Sequence, residues 1–474
     1  MISDLNPYPS MKDTGVPWLG DVPTHWDVLP NRAIFSEVKE QGYPDEQMLS
    51  VTITRGVIHQ QALLADSSKK DSSNLDKSKY KLVRPGDIAY NKMRAWQGAL
   101  GVSAYQGIVS PAYVVQRPRD GVNPKYVHYL LRTRAFAKEA ERWSYGITSD
   151  MWSLRPEHFR MIYTCLPPDA EQATIVRFLD HADLRIQRHI RAKKKLIKLL
   201  EEQKQAIIHR AVTRGRDPNV RLKSSGVEWL GDVPEHWHVL PIKRAFISME
   251  YGISESATDT GHIRLLTMGN IKDGKVTIPD SGGVPSVDDM LLLKPGDILF
   301  NRTNSAELVG KVGLFRGAES PVTFASYLVR MCPRAEHEPE YLNTVLNDIS
   351  ILSLARREAI PSLHQSNLNP TRYGRLQICL PPLEEQQSIL LFLKESTHEL
   401  DRAIDAAHRE ISLLQEYRIR LIADVVTGKL DVREAAASLL DEAEVHETSD
   451  EAETMIEDEE VANDVDSVTE VSES

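Results

Sequence analysis

The chain has 474 residues, 41% of them hydrophobic, enough for several buried cores, and no apolar run approaches the roughly 18–20 residues of a membrane span. The N-terminus MISDLNPYPS has neither a basic flank nor an apolar stretch, and Cys165, Cys332 and Cys379 are scattered without metal-site spacing; no membrane, no secretion signal and a cytoplasmic location are predicted. The net charge of −11 hides a division: Asp431–Ser474 holds 17 acidic residues against Arg433, which leaves residues 1–430 at about +5 and opens them to a polyanionic partner.

In chain order, the first landmark is GVPWLGDVPTHWDVLP, Gly15–Pro30. Its Val-Pro pairs restrict the backbone. Trp18, Leu19 and Trp26 read either as a platform for stacking bases or as plugs in a joint between globular region and helix. His25 reads as a hydrogen-bonded turn residue. A globular region of mixed strands and short helices follows over about 31–166. In it, RPGDIAYNK (Arg84–Lys92) is a tight Pro-Gly turn feeding the strand Ile88-Ala89-Tyr90, IVSPAYVV (Ile108–Val115) is a strand, and PKYVHYLLRT is a helix. Polar residues cluster after the first strand, at Asn91, Lys92, Arg94 and Trp96. A second cluster precedes the last strand, at Ser149, Asp150 and Trp152. CLPPDAEQATIVRFLD (Cys165–Asp180) reads as strand end, Pro-Pro stop and helix start, with Asp169, Glu171 and Gln172 in the first helical turn. The helix runs for about 43 residues, Glu171 to Thr213, roughly 64 Å at 1.5 Å per residue. Ile186, Ile190, Lys193, Ile197, Leu200, Lys204, Ile207 and Ala211 fall at coiled-coil spacing. Lys193, Lys194 and Lys195 read equally as phosphate contacts or as a solvated helix face.

The same order then begins again. GVEWLGDVPEHWHVLP (Gly226–Pro241) differs from the first landmark at three of sixteen positions, Pro17/Glu228, Thr24/Glu235 and Asp27/His238. His236 repeats His25. KPGDILFNR (Lys294–Arg302) repeats the turn and strand, and TFASYLVR (Thr323–Arg330) is a further strand. The polar clusters here are Asn301, Arg302, Thr303 and Asn304, then His364, Gln365 and Asn367. CLPPLEEQQSILLFLK (Cys379–Lys394) repeats the helix start with Glu385 and Gln386, and Leu400, Ile404, Ala407, Ile411, Leu414, Arg418, Leu421 and Val425 repeat the seam. Helix one enters the second globular region and helix two leaves it, so the simplest packing is antiparallel. The acidic segment from Asp431 has few large apolar residues and is predicted to be disordered, at least beyond about residue 440.

The frame is duplicated while the globular contents diverge. The two polar clusters of each globular region are therefore the candidates for reading different bases. Arg and Lys can bridge guanine O6/N7, and Asn can pair with adenine N6/N7. No phosphate loop, Asn-Pro-Pro or Asp-Pro-Pro tetrad, H-E-x-x-H or G-x-S-x-G is present, so neither catalytic nor metal-binding residues are assigned.

In this combination and order, GVPWLGDVPTHW, RPGDI and LPPDAEQATI followed by a long helix, all duplicated, resemble the specificity subunit of type I restriction–modification enzymes over residues 8–430. The resemblance implies an α+β fold: two globular α/β target-recognition domains separated by two long antiparallel coiled-coil helices, with an internal pseudo-two-fold repeat. It divides the chain into 1–167 (N-terminal segment and first recognition domain), 168–225 (spacer helix), 226–381 (second recognition domain), 382–430 (spacer helix) and 431–474 (acidic tail). The implied partners are double-stranded DNA read as a bipartite asymmetric site, two DNA-methyltransferase subunits and restriction/translocase subunits. The chain itself would be non-catalytic and carry no cofactor, with S-adenosylmethionine, ATP and Mg implied for the partner subunits. A stand-alone DNA-binding regulator and a coiled-coil adaptor are the alternatives. The acidic tail departs from the family's pattern.

Overall fold

The structure, a computed structural model, describes residues 5–65, 76–148, 151–259, 261–362 and 365–443. They form two compact units that cut across the order of the sequence. Unit one comprises residues 1–191 and 411–474, and unit two residues 192–410. The long helices, Asp169–Arg214 and Leu383–Val426, thus each give their first part to one unit and their last part to the other. Among the described residues no helix is long and apolar enough to cross a membrane.

In unit one, the opening motif folds as a hairpin, Met11–Asp13 against Asp21–Pro23. Asp27–Pro30 then pairs antiparallel with Tyr163–Leu166, the strand that ends in Pro167-Pro168. Between these lies a four-stranded antiparallel sheet, in spatial order 35–38, 113–118, 88–91 and 100–102. Helices Pro124–Leu131 and Arg134–Arg142 cover it. The Asn123 side chain caps the first, accepting from Lys125 and Tyr126 N–H, and the Thr133 hydroxyl caps the second. Unit two repeats this plan with more strands. Leu222–Ser224 pairs with Asp232–Pro234, and His238–Pro241 with Gln377–Leu380. Its main sheet has six strands, in order 246–251, 328–333, 298–301, 312–314, 275–276 and 271–272.

The Pro-Gly-Asp turn has one physical basis in both units. Gly86 and Gly296 adopt φ of 90° and 96°, where a side chain is strained. Asp87 accepts the Arg84 N–H at 3.0 Å and pairs through both carboxylate oxygens with Arg117, at 2.7 and 2.9 Å. Asp297 accepts the Lys294 N–H at 2.8 Å, with Arg330 at 4.0 Å in the place of Arg117. The aspartate closes the turn and ties it to the neighbouring strand.

The repeated motifs meet at a joint in each unit. In unit one Trp26 is fully buried and donates its indole N–H to Glu171 Oε1 at 3.0 Å, Tyr8 donates to the same oxygen at 2.6 Å, and His25 Nε2 lies 2.7 Å from Glu171 Oε2. Gln172 is buried beside it. Its amide donates to the Pro167 and Gly121 carbonyls, and its Oε1 accepts the Asn123 N–H at 2.8 Å. In unit two Gln386 makes the matching bonds, donating to the Pro381 carbonyl and accepting the Glu338 N–H, both at 2.8 Å. His236 Nε2 lies 2.7 Å from Glu385 Oε2, over the buried Trp237. The tryptophans at these positions are plugs of the joint, not a platform for bases. Each joint also receives the end of a long helix. Cys165 and Tyr126 donate to the Val426 carbonyl in unit one, and Cys379 donates to the Val212 carbonyl in unit two. Burial pushes both thiols up to about 12, so they act as neutral donors.

The expected seam forms within each unit. Ile186, Ile190, Ile411, Leu421 and Val425 are buried in unit one, and Ile197, Ala211 and Ala407 in unit two. The seam cations are paired rather than left in an apolar stripe. Arg418 bonds Asp183, Lys204 lies 2.5 Å from Asp401 and Lys193 lies 2.5 Å from Glu410. Residue numbers rise along one helix as they fall along the other, so the pairing in unit two is antiparallel.

One expectation requires correction. Disorder is expected for the tail 431–474, at least beyond about residue 440, yet its first part, Arg433–Ala443, is a helix. Val432 and Ala436 are buried in the core of unit one, Leu439 packs on it, and Asp431 N–H donates to the Asn6 carbonyl at 2.8 Å. An apolar stripe at helical spacing within the first turns of the tail outweighs its average composition. The tail beyond Ala443 lies outside the described residues.

Gly428 gives a direct test of the joint. At φ 75° its Cβ would overlap Pro23 Cδ and lie 3.1 Å from Trp26 Cζ3, whereas a Cβ on Gly20, at φ 66°, would meet nothing within 4 Å. Gly20→Ala should therefore cost only the backbone term, about 1–2 kcal/mol. Gly428→Ala should lose about 1–3 kcal/mol more through overpacking. Equal shifts of the two denaturant midpoints would show that the helix end is not wedged against Pro23 and Trp26.

Candidate nucleic-acid interface

In each unit the fold brings together two polar clusters that lie some sixty residues apart in sequence. In unit one the strand Ile88–Asn91 ends in a turn. Asn91 Oδ1 accepts the Met93 N–H at 3.0 Å, and the Trp96 indole donates to the Met93 carbonyl at 2.9 Å. The segment before the last strand returns to this turn. Leu154 N–H donates to the Lys92 carbonyl at 2.9 Å, and the rings of Trp152 and Trp96 meet edge-on at 5.5 Å. Lys92 is half-buried and Arg94 exposed. Ser149 and Asp150 lie outside the described residues.

Unit two makes the corresponding bond from Leu368 N–H to the Arg302 carbonyl, at 2.8 Å. Here the two segments form a small sheet. Thr303–Asn304 pairs with Ser366–Asn367, which pairs in turn with Ile360–Pro361. Arg302 is braced: its guanidinium donates to Asn367 Oδ1 at 3.0 Å and to the Ser326 carbonyl at 3.3 Å, and lies over the Tyr251 ring at 5.2 Å. Each terminal nitrogen keeps a further N–H, and stacking fixes the plane in which those donors point. Asn304 accepts the Ser305 N–H, Gln365 and Asn367 are exposed, and His364 lies outside the described residues.

Two candidates are placed away from any surface contact. Asn301 is 1% exposed and donates to the Met268 carbonyl at 3.2 Å, and the Thr303 hydroxyl is buried. Asn301 ends a strand whose residues are all buried, and its amide ties that strand to Met268. Conversely, sequence reasoning missed Tyr251 and Tyr327, both about half exposed and adjoining Arg302. It also missed Met93, Tyr145, Ile147 and Met151 around the Trp96–Trp152 pair. A large apolar residue in a loop carries no sequence mark that tells an exposed position from a buried one.

Cations gather near the unit-one cluster. Burial and then the neighbouring charge of Lys92 lower the pKa of Lys81, which donates to the Tyr113 carbonyl at 2.5 Å. On the long helix, Lys195 is exposed while Lys193 is occupied by Glu410. The acidic groups of the joints are engaged in structure: Glu171 is held by Tyr8, His25 and Trp26, and Glu385 by His236. Among the described residues no group of three or more His, Cys, Asp or Glu side chains could hold a metal ion. The arrangement offers cations, amides and aromatic rings at paired loop ends, which suits the edges and phosphates of a nucleic acid.

No family model matches the chain. It is 27% identical over 204 residues to the MjaX type I restriction enzyme specificity subunit of Methanocaldococcus jannaschii, a match covering 42% of this chain and 47% of that protein, so the chain spans about half the length of that relative. It is 20% identical over 431 residues to the EcoKI type I restriction enzyme specificity subunit of Escherichia coli K12, covering 87% of this chain and 90% of the relative. Among solved structures, a chain from work on complex assembly and conformational transition of the type I R-M system superposes with a TM-score of 0.61 at 15% identity, covering 86% of this chain and 99% of that one. That likeness establishes the shared α+β fold. In sequence, this chain is similar to the specificity subunits of type I restriction enzymes, and in fold to a chain of a type I R-M system.

Proposed function

We propose that the chain is the DNA sequence-specificity subunit of a type I restriction–modification complex, binding a bipartite asymmetric DNA site and docking methyltransferase and restriction subunits. One observation carries this reading. The joint of Trp, His, Glu and Gln is built twice from nearly the same residues, while the loop clusters it supports differ, with Lys92, Arg94, Trp96 and Trp152 in one unit and Arg302, Asn304, Gln365 and Asn367 in the other. Two like surfaces suit two identical methyltransferase subunits. Two unlike loop sets suit two different half-sites. The chain contributes recognition and no chemistry. S-adenosylmethionine, ATP and Mg serve the partner subunits, and the whole assembly acts in the cytoplasm. A stand-alone regulator would have no need of a duplicated joint, and a pure adaptor no need of divergent polar loops.

Mapping modified adenines in cells with and without the chain tests this directly. A bipartite motif should appear only when the chain is present. Exchanging residues 31–166 for the matching region of a relative should then change one half of that motif and leave the other intact. Simultaneous change in both halves would show that the two regions do not read independently.

The spacing between half-sites is assigned to the paired helices. Inserting one heptad near both Ile197 and Ile411 keeps the apolar seam in phase. Seven residues add about 10 Å, so the preferred spacer should lengthen by roughly three base pairs. Targets whose spacer varies one base pair at a time, presented to the chain with its methyltransferase partners, provide the readout. An unchanged preference in a well-folded insertion variant would place the ruler elsewhere.

Neighbouring residues should separate by role. Arg302→Ala should lower stability by only about 0.5–1.5 kcal/mol, through its part-exposed bonds to Asn367 and Ser326, and cost about 1–3 kcal/mol of discrimination at one base pair. Asn301→Ala should instead lower stability by about 1–3 kcal/mol, because the Met268 carbonyl loses its partner. Thermal midpoints alongside Kd values on single-base-pair variants check both. Reversal of the two effects would show that Arg302 serves the fold and Asn301 the DNA.

A further inference from the structure

Arg302 of unit two is held more firmly than a long charged side chain at a surface usually is. Its backbone is bonded on both sides: the N–H donates to the Tyr327 carbonyl at 3.1 Å, and the carbonyl accepts the Leu368 N–H at 2.8 Å. The guanidinium lies over the Tyr251 ring, 5.2 Å from its centroid. Nη1 donates to the Ser326 carbonyl at 3.3 Å and Nη2 to Asn367 Oδ1 at 3.0 Å. Those partners are themselves fixed. Ser326 N–H donates to the Ile253 carbonyl at 2.7 Å, Tyr251 ends a strand and pairs there with Val329, and Asn367 lies opposite Thr303 in the small sheet. The carboxylate next to Tyr251 in the chain, Glu250, is bound to Arg330, so it does not neutralise Arg302.

The Nε edge of Arg302 is enclosed. What remains for a ligand is the fork of the two terminal nitrogens, each with one further N–H. Asn367 is exposed, and with its Oδ1 drawn to Arg302 the group it presents beyond that bond is the Nδ2 amide. Both side chains therefore offer donors. A donor-only set discriminates among bases in the major groove. Guanine alone carries two adjacent acceptors, O6 and N7. Adenine sets an amino group beside its N7, cytosine presents a donor, and thymine has one acceptor beside a methyl group. An asparagine with both amide atoms free suits adenine; this one, with its oxygen engaged by Arg302, does not. A phosphate needs only a point charge, which a mobile lysine supplies. A fixed plane is a requirement of reading a base edge.

We propose that Arg302 reads one guanine in the half-site of unit two through its O6 and N7, with Tyr251 and Asn367 as positioning residues and the Asn367 amide donating to an acceptor on the neighbouring base pair. This rests on the reading of the chain as a DNA-recognition subunit. The Tyr251 ring sets the plane of the guanidinium, and the Ser326 carbonyl and Asn367 Oδ1 set its rotation within that plane. Freedom that a long side chain would otherwise lose on meeting DNA is already lost on folding, which favours the bound geometry. The guanine is met from the major groove, so its minor-groove amino group plays no part.

The test starts from a target duplex recovered by selection from random-sequence duplexes, using the wild-type chain bound to its methyltransferase subunits. The half that changes when residues 242–380 are exchanged for those of a relative is the half read by unit two. Each guanine of that half is replaced in turn by 7-deazaguanine, which lacks the N7 acceptor, and by inosine, which lacks only the minor-groove amino group. Kd is measured for wild type, Arg302→Met, Tyr251→Ala and Tyr251→Phe. Each penalty is a ratio of two Kd values for one variant, so a loss of stability cancels. At one guanine, 7-deazaguanine should weaken wild-type binding about fivefold or more, and inosine less than about twofold. The 7-deazaguanine penalty at that guanine should fall below about twofold in Arg302→Met and in Tyr251→Ala, and return in Tyr251→Phe, because the ring and not the hydroxyl carries the guanidinium. A half-site without guanine, or a penalty undiminished in Arg302→Met, overturns the assignment while leaving DNA recognition in place. Arg302→Met weakening binding to every sequence alike and flattening the salt dependence overturns it in favour of a phosphate contact. A penalty equal in Tyr251→Ala and wild type overturns the part given to Tyr251. Failure to recover any sequence in the selection overturns the recognition reading itself, and the guanine with it.

Discussion

Everything in unit one hangs on a carboxylate that has been taken out of water. Glu171 sits in the first turn of a long helix, where the helix dipole favours negative charge, yet burial of an ionised group is costly unless its lone pairs are filled. Tyr8 and the consecutive pair His25 and Trp26 fill them, from two places in the N-terminal segment. Gln172 does the same for the backbone, linking the Pro-Pro stop to the cap of the Pro124–Leu131 helix through Asn123. The direction in which the helix leaves the globular part is therefore set by hydrogen bonds that tolerate few substitutes. That accounts for thirteen of sixteen positions being shared by the two opening motifs while the loops between them diverge.

The two joints are not equally satisfied. In unit two Glu385 keeps its histidine, but the Trp237 N–H has no protein partner, and Asn219 occupies the position that Tyr8 holds in the first copy. The difference follows from connectivity. In unit two the helix end runs by a short covalent path from Arg214 into the hairpin strand Leu222–Ser224. In unit one the helix end and the hairpin strand belong to opposite ends of the chain, so the same junction is made without a covalent link. Asp431 N–H bonds the Asn6 carbonyl, the Arg433 guanidinium lies 5.0 Å from the Tyr8 ring centroid, and the Arg433–Ala443 helix covers the seam. Tyr8 and this helix do the work that peptide bonds do in the other copy.

Much of this frame was legible in the sequence because it is written twice. Repetition at a fixed offset identified the joint, the Pro-Gly-Asp turn and the helix seam without any partner being known, and the plug role of Trp26 and Trp237 followed from their sameness. Arg433–Ala443 was hidden because the composition of the whole tail outweighs three apolar residues at helical spacing. Asn301 looked like a reader because it ends a strand beside Arg302, yet that strand is buried on both faces and encloses its last side chain as well. The exposed set Tyr145, Ile147 and Met151 was illegible for the opposite reason: a large apolar residue in a loop bears no sequence mark of its exposure.

The manner of attachment of the two polar loop segments bears on how they can vary. Each is tied to the frame by a main-chain bond, Leu154 N–H to the Lys92 carbonyl in one unit and Leu368 N–H to the Arg302 carbonyl in the other. The residue anchoring each bond is a buried leucine, the same in both copies. A main-chain bond is indifferent to the side chain of the residue that makes it. Lysine in one unit can stand where arginine stands in the other, and a Trp–Trp contact can stand where a strand pair does, without loss of the attachment. Side chains that must be constant are confined to the joint, where burial punishes substitution. Side chains free to vary are held by bonds that do not depend on them. A duplicated frame of this kind separates the energy that holds the fold from the exposed loop groups, so each half can diverge in its loops while both continue to present the same joint.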